Sequence, residues 1–138
     1  MKTAAVAMLV AAVVAVAVVS AQAATRGRTI TVNLVQVGEQ QPSRTTLVET
    51  DQAYVGGKNT GHDIRSCTRT SKTTIACIAQ ITLGADTITA HFVSTLTARS
   101  GSGTLDNGTG NFQNKSGKFT WKNLDKQGKH TRLVLKLN

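Results

Sequence analysis

Two ionisable side chains at alternate positions, Asp63 and Arg65, are the best candidates for chemistry in this sequence. Residues two apart in a β-strand point to the same face, so a carboxyl and a guanidinium group would lie side by side. A carboxyl group can transfer a proton, and a guanidinium group can stabilise negative charge that develops on a bound molecule. These residue types make Asp63 and Arg65 candidates for chemistry, with a purely structural ion pair as the alternative.

Cys67 and Cys77 indicate which way that strand faces. Two cysteines ten residues apart around a short polar turn fit a disulfide across one hairpin, whereas a metal site would need more ligands. Directly opposed cysteines set a register that pairs Arg65 with Ala79 and Asp63 with Ile81. The disulfide is expected to be structural, since a redox role would favour a Cys-x-x-Cys spacing.

The following hairpin tests whether the cystine face is the interior. A two-residue turn at Gly84-Ala85 would align Cys77 with Phe92 and would place an apolar partner opposite each inward residue. Small interior residues then leave room for an apolar small molecule, although Phe92, Phe119 and Trp121 could instead fill the space. The interior residues predicted to contact such a molecule are Ala79, Ala90, Phe92 and Trp121.

Strands are the elements that would position these residues. Apolar residues recur at every second position in most of the chain after Thr29, and no segment there has a helical stripe. Turn residues separate the runs at Gln41–Ser43, Gly56–Asn59, Gly84–Ala85, Gly101–Gly103, Asp106–Gly108 and Gln127–Gly128. Seven or eight antiparallel strands without a covering helix must close or stack, and closure removes exposed edges. We predict an all-β, eight-stranded antiparallel barrel.

The N-terminus is typical of a secretory signal. Lys2 precedes an apolar run from Ala4 to Val19, and Ala21-Gln22-Ala23 is a small-x-small cleavage site. We therefore predict a signal peptide over residues 1–23, a single domain over residues 24–138, and a secreted protein; an uncleaved membrane anchor is the alternative. No second apolar segment follows, so no membrane span is expected after cleavage.

The chain is basic, with 16 Lys and Arg residues against 7 Asp and Glu residues. Such a cation could adsorb to an anionic surface or polymer. The cations are scattered and aromatic residues are few, so specific nucleic-acid binding is not expected. Hydrolase, zinc-protease and phosphate-loop motifs are missing, the three histidines are far apart, and we expect neither a metal nor an organic cofactor.

A resemblance to a known family rests mainly on residues 107–117, NGTGNFQNKSG. This segment resembles the Gly-Gly-Thr-Gly-x-(Phe/Tyr)-x-x-(Ala)-x-Gly signature of dirigent and allene oxide cyclase-like barrels, with Asn107 in place of the first glycine. The wider likeness covers roughly residues 48–137. It implies an eight-stranded barrel with an apolar central pocket, in members that steer radical coupling, cyclise reactive lipids or fold polyenes. The resemblance also implies that Asp63 and Arg65 are catalytic residues. It makes Glu49 and Tyr54 further ligand-binding residues and adds Asp51 to the candidate site.

Two functions from different classes follow. The first is a secreted barrel that binds an apolar small molecule and, if it is an enzyme, acts as a cofactor-independent cyclase, isomerase or stereocontrol protein. The second is a non-catalytic barrel whose interior is packed shut and whose basic exterior binds an anionic surface, a polymer or a partner protein. Binding through surface charge should weaken steeply with salt, and binding in a pocket should not. Self-association is left open.

Overall fold

A computed structural model describes residues 27–138, so the predicted signal peptide and residues 24–26 lie outside the described residues. Within residues 27–138, no helix has the length and apolar character needed to cross a membrane. One short 3₁₀ helix, Gly110–Phe112, accompanies eight strands. The strands are β1 (Arg28–Gln40), β2 (Thr46–Val55), β3 (Lys58–Arg69), β4 (Thr74–Leu83), β5 (Asp86–Thr95), β6 (Ser100–Asp106), β7 (Gly117–Asn123) and β8 (His130–Leu137).

The eight strands form a closed barrel in which each pairs antiparallel with the next and β8 returns to β1. Apolar and polar residues alternate along the strands, so one face of the sheet is apolar. Closure of the sheet into a barrel removes that apolar face from water. In β8, for example, Leu133, Leu135 and Leu137 are buried while Arg132 and Lys136 are exposed. The predicted all-β, eight-stranded antiparallel barrel is confirmed.

The predicted register around the cystine is also confirmed. Cys67 and Cys77 are disulfide-bonded and face each other across β3 and β4, so Asp63 lies opposite Ile81. The turn between β4 and β5 then aligns Cys77 with Phe92. These residues all face the interior, which places the side chains of Asp63 and Arg65 inside the barrel.

The turn predicted at Gly101–Gly103 is wrong, because both glycines lie within β6. A Cβ on Gly101 would approach the Trp121 ring to 2.6 Å, and one on Gly103 would come within 2.6 Å of the Phe119 ring. These aromatic rings from β7 occupy the space that side chains on β6 would need. The glycines therefore serve packing rather than a change of direction.

The two ends of the barrel differ. At one end, here the closed end, the segment between β6 and β7 folds back through the 3₁₀ helix and lays Phe112 on the core. Asn111 Nδ2 donates a 2.7 Å hydrogen bond to Asp86 Oδ2, which ties the segment to β5. The opposite end, here the open end, carries the four loops 41–45, 70–73, 96–99 and 124–129, and residues of loops 41–45 and 96–99 line a cavity.

Candidate functional site

The open end holds a cavity of about 430 Å³. This volume lies within the range of sites that bind drug-sized molecules. The expectation of an interior packed shut is therefore wrong at this end of the barrel. Its apolar wall comprises Leu47, Cys67, Ile75, Cys77, Phe92, Leu96, Ala98 and Trp121.

Two aromatic rings, Phe92 and Trp121, form the base of the cavity, and a third ring, Phe119, lies beneath them. Phe92 packs edge-on against Phe119 and tilted against Trp121, with ring centroids 5.8 Å apart in both pairs. Below them is a second void of about 10 Å³, bordered by Asp63, Ala79, Ala90 and Phe119 among others. Such a void holds at most about one water molecule. Phe92, Trp121 and Arg65 line both spaces and so separate the cavity from the void.

Four ionisable side chains lie in two adjacent layers beside these spaces. Register places Glu49 opposite Arg65 in one layer, and Asp51 opposite Asp63 in the next layer toward the closed end. Arg65 Nη2 donates a hydrogen bond to Glu49 Oε2 and lies 3.9 Å from Asp51 Oδ2. A molecule entering from the open end would therefore meet the Glu49–Arg65 pair before the two aspartates.

The environment of Asp51 and Asp63 favours their protonated forms. Burial raises the pKa of Asp63 to about 8, against the opposing effect of the Arg65 charge. Burial likewise raises the pKa of Asp51. The neighbouring Asp51 also raises the pKa of Asp63, because two adjacent carboxylates repel each other. At neutral pH this pair therefore retains at least one proton, and the arrangement offers a buried acid.

Arg65 stays charged despite its position. Burial acts against the guanidinium charge, but Glu49, Asp63 and Asp51 together outweigh burial, so the pKa of Arg65 is raised. A permanent cation beside the aspartates can stabilise a carboxylate left after proton donation. Asp63 Oδ1 and Asp51 Oδ2 are buried and lack a hydrogen-bond partner within residues 27–138, so each can still accept one.

The structure brings most of the sequence-predicted residues together. Glu49, Phe92 and Trp121 line the main cavity, Ala79 and Ala90 border the void beneath it, and Arg65 lines both. Tyr54 does not belong to this group. Its hydroxyl donates a 2.9 Å hydrogen bond to Gln52 Oε1 on the outside of the barrel. Odd-numbered residues of β2 face inward, and Tyr54 has the opposite parity, so its predicted place in the pocket is corrected.

Within residues 27–138 no group of three or more histidine, cysteine, aspartate or glutamate side chains could hold a metal ion. His91 faces outward opposite Ile78, as predicted, and its Nε2 lies 2.9 Å from Asp106 Oδ1. His130 Nδ1 lies 2.6 Å from Asp125 Oδ2, and the hydrogen bond from His130 lowers the pKa of Asp125. None of these four residues lines the cavity.

Comparison with known proteins identifies the class of fold. No family model and no curated protein matches the sequence. Solved structures do match. One is a pyocyanin demethylase, with a TM-score of 0.66 and 22% sequence identity over 80% of this chain and 100% of that chain.

Two further neighbours are pterocarpan synthase dirigent proteins, PsPTS1 and GePTS1. PsPTS1 has a TM-score of 0.57 and 11% identity, over 81% of this chain and 92% of its own. GePTS1 has a TM-score of 0.52 and 12% identity, over 81% of this chain and 82% of its own. The chain therefore has the fold of the dirigent and allene oxide cyclase-like barrels, which confirms the predicted resemblance at the level of the fold.

Proposed function

We propose that this barrel binds an apolar small molecule through its open end and guides the cyclisation, isomerisation or coupling of that molecule. One observation carries the proposal: Asp63, a carboxyl group with a pKa of about 8, borders a small void directly beneath a cavity of about 430 Å³ whose wall is partly apolar. A pKa near the working pH suits a group that must both give and take back a proton. Perturbed acids in cavities are enriched at functional sites.

The proposed chemistry is proton transfer combined with orientation. The aromatic base and the apolar wall hold the molecule in one conformation, which lowers the entropic part of the barrier. The proton of Asp63 passes through the small void, which has room for about one water molecule, to an oxygen or an unsaturated carbon of the molecule, and Arg65 stabilises the carboxylate left behind. Loss of a proton from another position of the molecule returns the pair to its starting state. The overall reaction of these two proton transfers is an isomerisation that consumes no oxidant or reductant.

The neighbours support a small organic ligand. One is named for the demethylation of pyocyanin, and two are named for pterocarpan synthesis. Because their identities lie below 25%, these names carry no substrate over to this chain. They make pyocyanin a reasonable first probe, beside an uncharged fused-ring aromatic such as naphthol.

Secretion is part of the same proposal. The predicted signal peptide supports export of the protein, and the Cys67–Cys77 disulfide agrees with an oxidising compartment. Finding residues 24–138 without the first 23 residues in the culture medium would establish both cleavage and export. Protein retained in the membrane fraction at full mass would contradict both.

The first experiment is native mass spectrometry of the protein purified from its own medium. We expect a stoichiometric apolar adduct, which is then released and identified. In parallel, pyocyanin and naphthol are titrated against the fluorescence of Trp121, which is the sole tryptophan of the chain and lines the cavity. Tyr54, the sole tyrosine, lies outside and should not respond.

Catalysis is tested separately on whichever molecule binds. Asp63→Asn should abolish its conversion while leaving its affinity within about threefold, because the amide has the same shape but is not an acid. Asp106→Asn, which removes a carboxyl group on the outer surface, is the matched control and should convert the molecule normally. A clean unliganded mass together with no response of Trp121 would reject the pocket. Unchanged turnover by Asp63→Asn would remove the acid from the proposal.

A further inference from the structure

Cationic side chains form a regular array on the outside of β7 and β8. Register places Lys118 directly opposite Lys136, and Lys122 directly opposite Arg132. All four residues are exposed, and together they form what we call the β7–β8 face. Like charges directly opposite each other are unfavourable in a sheet, so folding alone gives no reason for this pattern.

The charges of the β7–β8 face lack an acidic counterpart. None of the four residues is in an ion pair within residues 27–138, and neither strand contains an acidic residue. Arg132 Nε donates only a long hydrogen bond, 3.4 Å, to the neutral side chain of Asn33. The array therefore has capacity for an external anion.

The opposite wall of the barrel shows that this is not a general property of the exterior. The outward positions of β4, and those of residues 59–69 in β3, hold no Lys, Arg, Asp or Glu. Several apolar residues are exposed there instead. Ile64 is 46% exposed and Ile78 is 55% exposed. Seven of the fourteen Lys and Arg residues within residues 27–138 lie between Lys115 and Lys136, on or next to the β7–β8 face. The exposed cations of the β3–β4 wall, Lys58, Arg69 and Lys72, lie only at its ends.

The spacing of the array suits an extended, repeating anion. The Cβ atoms of the two residues in a pair are about 5 Å apart, and the two pairs are separated by four residues along the strand, about 13 Å. Additional cations lie in the adjoining segments, at Lys115, Lys126 and Lys129. A chain of regularly spaced negative charges could contact both pairs at once, whereas a single small anion could contact only one.

The neighbours of the cations indicate the chemistry of that polymer. Each cation pair lies between short polar side chains on β6 and β1, and the row between the two pairs is polar at three of its four positions. The residues of these rows are Thr104, Ser100, Thr29, Asn33, Ser102, Thr120, Thr31 and Val134. Hydroxyl and amide groups hydrogen-bond to sugar hydroxyls, and the rows contain no aromatic ring on which nucleic-acid bases could stack.

We propose that the β7–β8 face binds an acidic polysaccharide, with the two cation pairs contacting successive anionic groups and the flanking hydroxyl and amide side chains contacting the sugars. This surface is separate from the cavity, because the side chains of β7 and β8 that face the cavity point the other way. Binding of the polymer and binding of a small molecule are therefore independent, and either can fail without the other.

The test measures affinity for polygalacturonate, heparin and duplex DNA at several salt concentrations. Lys118→Thr/Lys136→Thr removes one pair, and Lys58→Thr/Lys72→Thr removes two exposed cations elsewhere with the same change in net charge. We expect the first variant to lose about tenfold in affinity for the polysaccharides and to show a weaker salt dependence. The control variant should lose less than about twofold.

Three results would overturn the proposal. Equal losses in the two variants would show that net charge alone drives adsorption. Unchanged affinity in Lys118→Thr/Lys136→Thr would show that the polymer binds elsewhere. Tighter binding of duplex DNA than of either polysaccharide, lost in the same variant, would assign the face to a nucleic acid. Circular dichroism of each variant confirms that the fold is intact.

Discussion

The closed end and the open end of the barrel are built from the same eight strands and have opposite contents. At the closed end, apolar residues such as Ile88, Leu105 and Leu137 are buried beneath Phe112. At the open end, the same strands surround a cavity with polar side chains at its rim. The difference teaches that a small barrel can place most of its stabilising contacts in one half and leave the other half free for a ligand.

Asp51 and Asp63 lie where the two halves meet. They are buried almost as fully as the residues of the closed end, at 3% and 1% exposure, yet they belong to the wall beside the cavity. Burying acids is unfavourable, and the closed-end packing must compensate for it. The difference between the two ends predicts the effects of substitutions at the closed end, at Asp63 and at the open end.

The largest expected effect is at the closed end. Phe112→Ala removes a side chain that is 3% exposed and should lower the free energy of unfolding by about 3–5 kcal/mol. Leu96→Ala, at the rim of the open end and 44% exposed, should lower it by less than about 1 kcal/mol. Urea unfolding measures both values. Similar losses of unfolding free energy in the two variants would contradict the difference in packing between the two ends.

The next effect concerns the disulfide, which links β3 and β4 on the wall of the cavity. Cys67→Ala/Cys77→Ala should lower the free energy of unfolding by about 2.5–3 kcal/mol, because the unfolded chain gains freedom in a loop of about ten residues. Hydrogen exchange should quicken at the open end of β3 and β4 and should change little near Phe112. Uniform quickening along both strands would contradict a local role.

An intermediate effect depends on pH. The pKa of Asp63 is about 8 in the folded protein and about 4 in the unfolded chain, so between these values the folded state holds a proton that the unfolded state has lost. Stability from this group is complete below pH 4 and is lost as the pH rises to 8. The slope should approach about 1.4 kcal/mol per pH unit.

Asp63→Asn cannot titrate and should flatten this slope in urea unfolding measured from pH 4 to pH 8. Asp106→Asn should keep the slope, because that carboxyl group lies on the outer surface. If Asp63→Asn and the wild-type protein lose stability in parallel, the acid beside the cavity is not protonated as described.

The smallest effect tests whether the contrast between the ends extends to the exterior. Lys118→Thr and Lys122→Thr each remove one of two opposed cations, the first nearer the closed end and the second nearer the open end. Both should raise the free energy of unfolding by about 0.2–1 kcal/mol at low salt, and less at high salt. A gain at one end alone would show that the difference between the ends is not limited to the interior.

Much of the fold is predictable because two local constraints agree. The cystine fixes the pairing of β3 with β4, and the Gly84-Ala85 turn fixes the pairing of β4 with β5. Together they place Asp63 and Arg65 inside the barrel from residue types and spacing alone. The glycines of β6 mislead because their role depends on rings from β7, and a sequence gives no sign of that contact.

The pairing of Asp51 with Asp63 is harder to predict from the sequence. A two-residue turn at Gly56-Gly57 would extend the pairing of Val55 with Lys58 and would place Asp51 opposite His62. An irregularity in the register beyond Tyr54 shifts the pairing by one residue, so that Asp51 meets Asp63 instead. Gly61, which lies at this irregularity, is a local sign of it, because an isolated glycine in a strand is typical of a bulge or of a close backbone approach. A Cβ on Gly61 would clash with the Thr82 carbonyl oxygen. The glycine does not by itself specify the direction of the shift, and a shift of one residue reverses which side chains meet inside.

The ring of strands has a consequence for how the protein is made. Every pairing joins strands that follow one another in the chain, except that of β1 with β8, which brings Arg28 beside Leu137. The first strand must therefore wait for the last before the barrel can close. Until β8 is available, β1 and β7 each present an unpaired edge to other chains. A chain that stops before His130 should aggregate, even though it contains the cystine and all four ionisable side chains beside the cavity.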